Sequence, residues 1–224
     1  MFDVFELTLM VNHACNLRCA YCYTGAKISR PISDSTSLTA IARALNSLRE
    51  GGELQLGFFG GEPLLEADSI LRWIDEAERA AADHKKTVSC TMTTNGTLTS
   101  GLAWRVMAHD SMSVSVSHDG LPEIHDQHRR AADGTSSSDL VLDTIDRLLS
   151  EDVPLNISMV VRPDTVGSFV EGLRFLHSCG VRQISPTLDL WTDWDHESGL
   201  RLEEAIVEAA DFWIDQLPGF DISW

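Results

Sequence analysis

The chain has 224 residues, 43% of them hydrophobic and 23% charged, with a formal net charge of −17. That length suits one substantial domain, and so acidic a balance argues against nucleic acid, whose phosphates need Lys and Arg in excess. No apolar run reaches the roughly 20 residues of a membrane helix, and the start lacks the basic and apolar segments of an export signal, so a reducing cytoplasm is expected.

Along the chain, strand and helix patterns alternate. Residues 4–11 read as a strand and lead into a loop rich in cysteine. Residues 33–49 carry Leu38, Ile41, Leu45 and Leu48 at helical spacing, with Gly51-Gly52 expected to stop the helix. Residues 54–59 form a second strand, and Asp68 is placed to cap the helix of Ile70, Leu71, Ile74 and Ala77. A third strand spans 87–93, a helix 100–109, and a fourth strand 113–117. A polar stretch, 120–138, precedes a helix burying Leu140, Val141, Ile145, Leu148 and Leu149. Residues 155–161 are a fifth strand, followed by a helix marked by Val166, Phe169, Val170, Leu173 and Leu176 and ended by Gly180. A sixth strand covers 183–190, and an amphipathic helix runs from 200 to 217.

Six such strand-helix units build a parallel sheet with helices outside it. Right-handed connections curl that sheet, but six units are too few for the usual eight-stranded barrel. The expectation is an α/β fold, an open, partial (β/α)6 TIM-like barrel over residues 1–217, with 218–224 the opening of a further, truncated segment.

Cys15, Cys19 and Cys22 place three thiols inside eight residues of a chain with five cysteines. Thiolates this close repel unless a cation or cluster lies between them, so metal ligation is expected. A structural zinc takes four protein ligands and a simple ferredoxin-type cluster four cysteines, so three leave a metal position for another molecule. A zinc site using His13 as fourth ligand is the alternative. Cys90 and Cys179 fall in apolar runs, where a buried thiol is ordinary.

Chemistry in parallel sheets gathers at the carboxyl ends of strands. After the second strand comes Gly60-Gly61-Glu62-Pro63, where two glycines permit a close backbone approach and Glu62 offers a carboxylate to an ammonium. Its plainer reading is a tight turn with a solvated Glu. After the third strand stands Asn95-Gly96, otherwise an ordinary turn. After the fourth come Ser117-His118-Asp119-Gly120 and the segment His125-Asp126-Gln127-His128-Arg129-Arg130, whose histidines are more often structural than catalytic. Asp189, Asp193 and Asp195 beside Trp191 and Trp194 follow the sixth strand, as proton acceptors, as grips for a basic group, or as caps for the last helix.

The C-x3-C-x2-C spacing, with Tyr21 just before the last cysteine, resembles the signature of the radical S-adenosylmethionine (SAM) enzymes. In that family three cysteines hold a 4Fe–4S cluster and SAM chelates the fourth iron. The resemblance implies Cys15, Cys19 and Cys22 as metal ligands and an open barrel core. Gly60, Gly61 and Glu62 resemble the family's GGE motif, which holds the SAM amino group, and Asn95 its Thr-Asn-Gly segment. Ser117 and Arg129 (or Arg130) match the S-x-D-G and H-D-x-x-R segments of the SPASM-type branch and imply contacts to the SAM carboxylate. Tyr21 and Leu188 fall where the family packs against adenine.

That branch implies a radical SAM oxidoreductase that abstracts hydrogen from a peptide or protein, as in RiPP crosslinking or formylglycine formation, with an electron donor such as flavodoxin or ferredoxin. Asp189 and Asp193 are its candidate catalytic groups. The branch's cysteine-rich C-terminal extension has no counterpart after Cys179. The competing readings are a radical SAM enzyme of a small molecule or nucleotide, and a non-catalytic zinc or iron–sulfur module.

Overall fold

The structure, a computed structural model, describes residues 1–224. Seven strands, β1 (Phe2–Asn12), β2 (Leu48–Gly60), β3 (Thr87–Thr94), β4 (Met112–Ser117), β5 (Leu155–Val161), β6 (Gln183–Leu188) and β7 (Asp221–Ile222), are hydrogen-bonded in chain order. β1 and β7 are the edges, so the sheet is open, as a partial α/β barrel core requires. Seven helices connect the strands: α1 (Asp34–Ser47), α2 (Ala67–Ala82), α3 (Leu102–Met107), α4 (Pro122–His128), α5 (Ser138–Ser150), α6 (Phe169–Ser178) and α7 (His196–Gln216).

The chain divides into two compact units. The first comprises Met1–Asn16, Thr24–Thr94 and Leu98–Val114. In it β1, β2 and β3 pair in parallel, with Leu7 opposite Leu56 and Leu56 opposite Cys90. α1 starts where Ser33 Oγ accepts from Thr36 N–H at 3.2 Å, and it buries Ile41, Ala44 and Leu45. It ends at Ser47, and Leu48 is already extended and paired opposite Phe2. Gly51-Gly52 therefore do not stop the helix. They lie in β2, in an irregular stretch where register shifts from Phe2↔Leu48 to Val4↔Glu53.

α2 follows a 3₁₀ turn at Pro63–Glu66 and buries Ile70, Trp73, Ile74 and Ala77. Asp68 lies inside its first turn rather than at its cap, ion-paired with Arg72 four residues on. α3 is only six residues long, shorter than its sequence pattern suggested.

The second unit comprises Leu17–Tyr23, Asn95–Thr97 and Ser115–Trp224. β5, β6 and β7 pair in parallel, with Ile157 opposite Ile184 and Ile184 opposite Ile222. β5 has the bounds its sequence predicts, and its alternate residues Ile157, Met159 and Val161 are buried. β6 ends at Leu188, two residues early. α7 begins before residue 200 because Asp195 Oδ1 accepts from Ser198 N–H at 2.7 Å and caps it.

The polar stretch 120–138 hides α4, with Pro122 in its first turn and His125 and His128 buried. Beyond the six strands of the strand-helix units, residues 221–222 add the short edge strand β7, in the stretch 220–224 that reads as the opening of another strand. No helix is long and apolar enough to cross a membrane.

Candidate functional site

In the first unit β1 runs directly into the cysteine loop, and Asn12 governs that junction. Asn12 is buried; its Oδ1 accepts from Ala14 N–H at 3.0 Å and Arg30 N–H at 2.9 Å, while its Nδ2 donates to Glu66 at 2.6 Å. The Gly60-Gly61 turn lies against the same stretch. Gly61 N–H donates to Asn12 O at 2.7 Å and Glu62 N–H to Ala14 O at 2.8 Å. A Cβ on Gly60 would stand 2.4 Å from Asn12 O, and one on Gly61 2.1 Å from Ala14 O. No other residue fits there. The close approach these glycines permit is to the chain's own backbone just before Cys15.

Glu62 is fully buried and not at the surface. Its Oε1 accepts from Leu64 N–H at 3.0 Å and from Thr94 Oγ1–H at 2.8 Å, which ties the turn to the end of β3.

In the second unit, residues 17–23 are fastened to the segment after α4. Leu17 and Ala131 form an antiparallel bridge, Arg18 N–H donates to Arg130 O at 2.7 Å, and Ala20 N–H donates to His128 O at 2.9 Å. The Tyr21 hydroxyl donates to Asp119 Oδ2. The Arg129 guanidinium grips both oxygens of the same carboxylate, Nε at 2.9 Å and one terminal nitrogen at 3.1 Å. Val160 N–H adds a bond to Asp119 Oδ1 at 3.0 Å.

Burial pushes Asp119 toward its neutral form, but Arg129, with help from Tyr21 and His125, outweighs it and leaves the carboxyl below its ordinary range. For Arg129 burial favours the neutral form and Asp119 overrides it, so its pKa is raised. Burial also raises the Tyr21 pKa well above that of a free phenol.

Two buried histidines adjoin this pair. His125 Nδ1 faces Asp119 N–H at 3.4 Å and its Nε2 lies 3.0 Å from Ser137 Oγ. His118 stacks on His125 with ring centroids 4.2 Å apart, and neither of its ring nitrogens has a partner. Burial lowers the His118 pKa to about 4 and, with His118 and Arg129 nearby, that of His125 to about 3. Both rings are neutral near pH 7 and belong to the packing, in line with the low weight a loop histidine carries as a catalyst.

The other sequence candidates fall as follows. Asn95 is buried and its Oδ1 accepts from Thr97 N–H and Oγ1–H at 3.0 and 2.7 Å, the local turn its sequence suggested. Ser117 is half-buried at the end of β4, and Leu188 is 37% exposed at the end of β6. Asp189 is buried rather than open: Arg162 binds its carboxylate, and Trp191 N–H donates to Oδ1 at 3.0 Å. Asp193 is exposed, and Asp195 is the α7 cap. Asn12, Asp119 and His125 were given no role from sequence, although Asp119 lies inside the quoted S-x-D-G segment.

None of the five cysteines is in a disulfide; Cys15, Cys19 and Cys22 are partly exposed, whereas Cys90 is buried and Cys179 exposed. No three His, Cys, Asp or Glu side chains stand together in an arrangement that would hold a metal ion. The case for a cluster therefore rests on the donor set. Three partly exposed thiols at this spacing, none in a disulfide, suit an iron–sulfur cluster that keeps one iron for a further ligand.

The family profile of the radical SAM superfamily matches residues 9–176. The uncharacterized protein MJ0907 of Methanocaldococcus jannaschii is 30% identical over 180 residues, 80% of this chain and 61% of that one. The serine-type anaerobic sulfatase-maturating enzyme of Klebsiella aerogenes is 27% identical over 220 residues, 96% of this chain and 52% of its own. The solved structure "Native anSMEcpe with bound AdoMet and Cp18Cys peptide" superposes with a TM-score of 0.81 at 19% identity, over 98% of this chain and 63% of that one. The chain thus spans between half and two thirds of the length of these relatives.

Proposed function

The chain belongs to the radical SAM superfamily, and on that premise we propose that it modifies a peptide or protein by radical chemistry. The carrying observation is the trio Cys15, Cys19 and Cys22, none of them in a disulfide, in the loop after β1 of a parallel α/β sheet. A 4Fe–4S cluster and SAM are the cofactors of this family. When bound, they would supply one-electron reductive chemistry whose radical product is able to remove hydrogen from an unactivated carbon.

The chain's own groups have simpler tasks. The three cysteines would hold the cluster as thiolates. In the first unit, the Gly60-Gly61 turn backs the stretch before Cys15, and the Glu62 carboxylate, oriented by Leu64 N–H and Thr94, receives the SAM ammonium. In the second unit, Asn95 and Ser117 offer polar contacts to SAM, and Leu188 offers apolar surface to adenine. The guanidinium of Arg129 is engaged by Asp119, so its contribution to the SAM carboxylate is made as half of an ion pair. Tyr21 is likewise held by Asp119. Asp193, exposed where Asp189 is not, is the carboxylate left to meet a basic substrate group or take a proton.

The peptide reading is supported by the relatives, named for sulfatase maturation, and by a structural neighbour that carries a peptide beside AdoMet. The strongly acidic chain also favours a neutral or basic partner. Anaerobic reconstitution with iron and sulfide, followed by SAM and a reduced flavodoxin or ferredoxin, tests the proposal. The expected result is a brown protein that releases 5′-deoxyadenosine, with colour and release both lost in Cys19→Ala. A colourless chain holding one zinc would sink the reading in favour of a non-catalytic module.

A further inference from the structure

The segment that carries Cys19 and Cys22 is fastened within the second unit by backbone contacts at Leu17, Arg18 and Ala20 and, through Tyr21, by one buried carboxylate. Asp119, 7% exposed, receives the Tyr21 hydroxyl from the middle of that segment. It also receives Arg129 through two bonds and Val160 N–H from β5. Arg129 adjoins His128 and Arg130, whose carbonyls accept from Ala20 and Arg18 N–H. The Tyr21 ring has the Arg129 guanidinium 5.1 Å and the Arg162 guanidinium 5.7 Å from its centroid. His125 and Ser137 brace the far side: Ser137 Oγ–H donates to Arg129 O, and His125 meets Asp119 N–H.

We propose that Asp119 is a positioning residue for the cysteine loop, holding residues 17–23 in place through Tyr21 and Arg129 whether or not a cofactor is bound. The inference rests on the reading of Cys19 and Cys22 as cluster ligands. A short surface loop gives up conformational entropy when it closes on a metal, and a loop already fixed gives up less. Charge-assisted bonds in a dry setting are strong enough to do the fixing. Asp119 touches neither cluster nor SAM in this scheme; it acts through the tyrosine and the arginine.

The test is residue-resolved amide exchange on the full chain without added iron, for wild type, Tyr21→Phe and Asp119→Asn. Tyr21→Phe keeps the ring and removes only the hydroxyl, so it carries the test even where Asp119→Asn fails to fold. The Arg18 and Ala20 amides should exchange on the order of ten-fold faster in Tyr21→Phe. The His118 amide, bonded to Ser158 O, and the thermal midpoint should stay near wild type. Unchanged exchange at Arg18 and Ala20, or a rise spread evenly over the whole second unit, overturns the inference. Iron uptake is measured in parallel. A wild-type chain that takes up no iron sinks the cofactor reading and the inference with it; iron uptake beside an undisturbed Tyr21→Phe loop sinks the inference alone.

Discussion

The Gly60-Gly61 turn of the first unit and the Asp119 network of the second both fasten a stretch of the cysteine segment, by opposite means. The turn does it with backbone: two N–H groups reach Asn12 O and Ala14 O at 2.7 and 2.8 Å, and the missing side chains make the room. The network does it with charge, through a buried carboxylate and guanidinium whose partners are all side chains or single amides. Backbone fastening tolerates any pH the fold survives but no added atom. Charge fastening tolerates modest changes of shape but fails once either charge is removed. The difference lies in what each region can lose.

Removing the charge should have the largest effect. Asp119→Ala leaves Arg129 buried without its counter-ion and should cost about 3–5 kcal/mol in urea unfolding. A loss under about 1 kcal/mol would mean that water reaches the guanidinium after all.

Acid should come next and should separate the two regions. His118 is neutral in the fold, with a pKa of about 4, whereas the unfolded chain takes up its proton near 6.5. Its contribution is whole above pH 6.5 and is lost as pH falls toward 4, on the order of 3 kcal/mol over that window. Unfolding midpoints should slope downward with falling pH, and His118→Phe should flatten the slope. An unchanged slope would clear His118 of the effect.

Adding one carbon to the turn should cost somewhat less. Gly61→Ala drives a Cβ to 2.1 Å from Ala14 O, so backbone must move, at about 1–3 kcal/mol. Its cost should not vary between pH 5 and pH 8, in contrast to the histidine effect. Ser137→Ala should be the mildest change, about 1 kcal/mol, since it takes one partner from His125 and one from Arg129 O.

The same contrast explains what was legible in the sequence. Gly-Gly-Glu-Pro and the cysteine spacing stand out because glycine and thiol are used where few other residues serve. β5 was placed to the residue because alternation of Ile157, Met159 and Val161 is a periodic signal. α4 was missed because its buried face is His125 and His128, polar residues that carry no hydrophobic period. The α1–β2 junction was misread because Gly51-Gly52 look like a helix stop, and only pairing with β1 reveals a strand irregularity. Glu62, Asp189 and Arg129 were recognised as charged groups at strand ends. Their partners Thr94, Arg162 and Asp119 lie 27 to 32 residues away in the first two cases and ten in the third, separations no local pattern encodes.

The bidentate bond between Arg129 and Asp119 also constrains how this chain can diverge. Exchange of either partner alone strands its opposite ion in the interior, so drift at one position is blocked until the other changes with it. Descendants should therefore keep both or replace both together, with position 21 free to become phenylalanine only where some other contact secures the thiols.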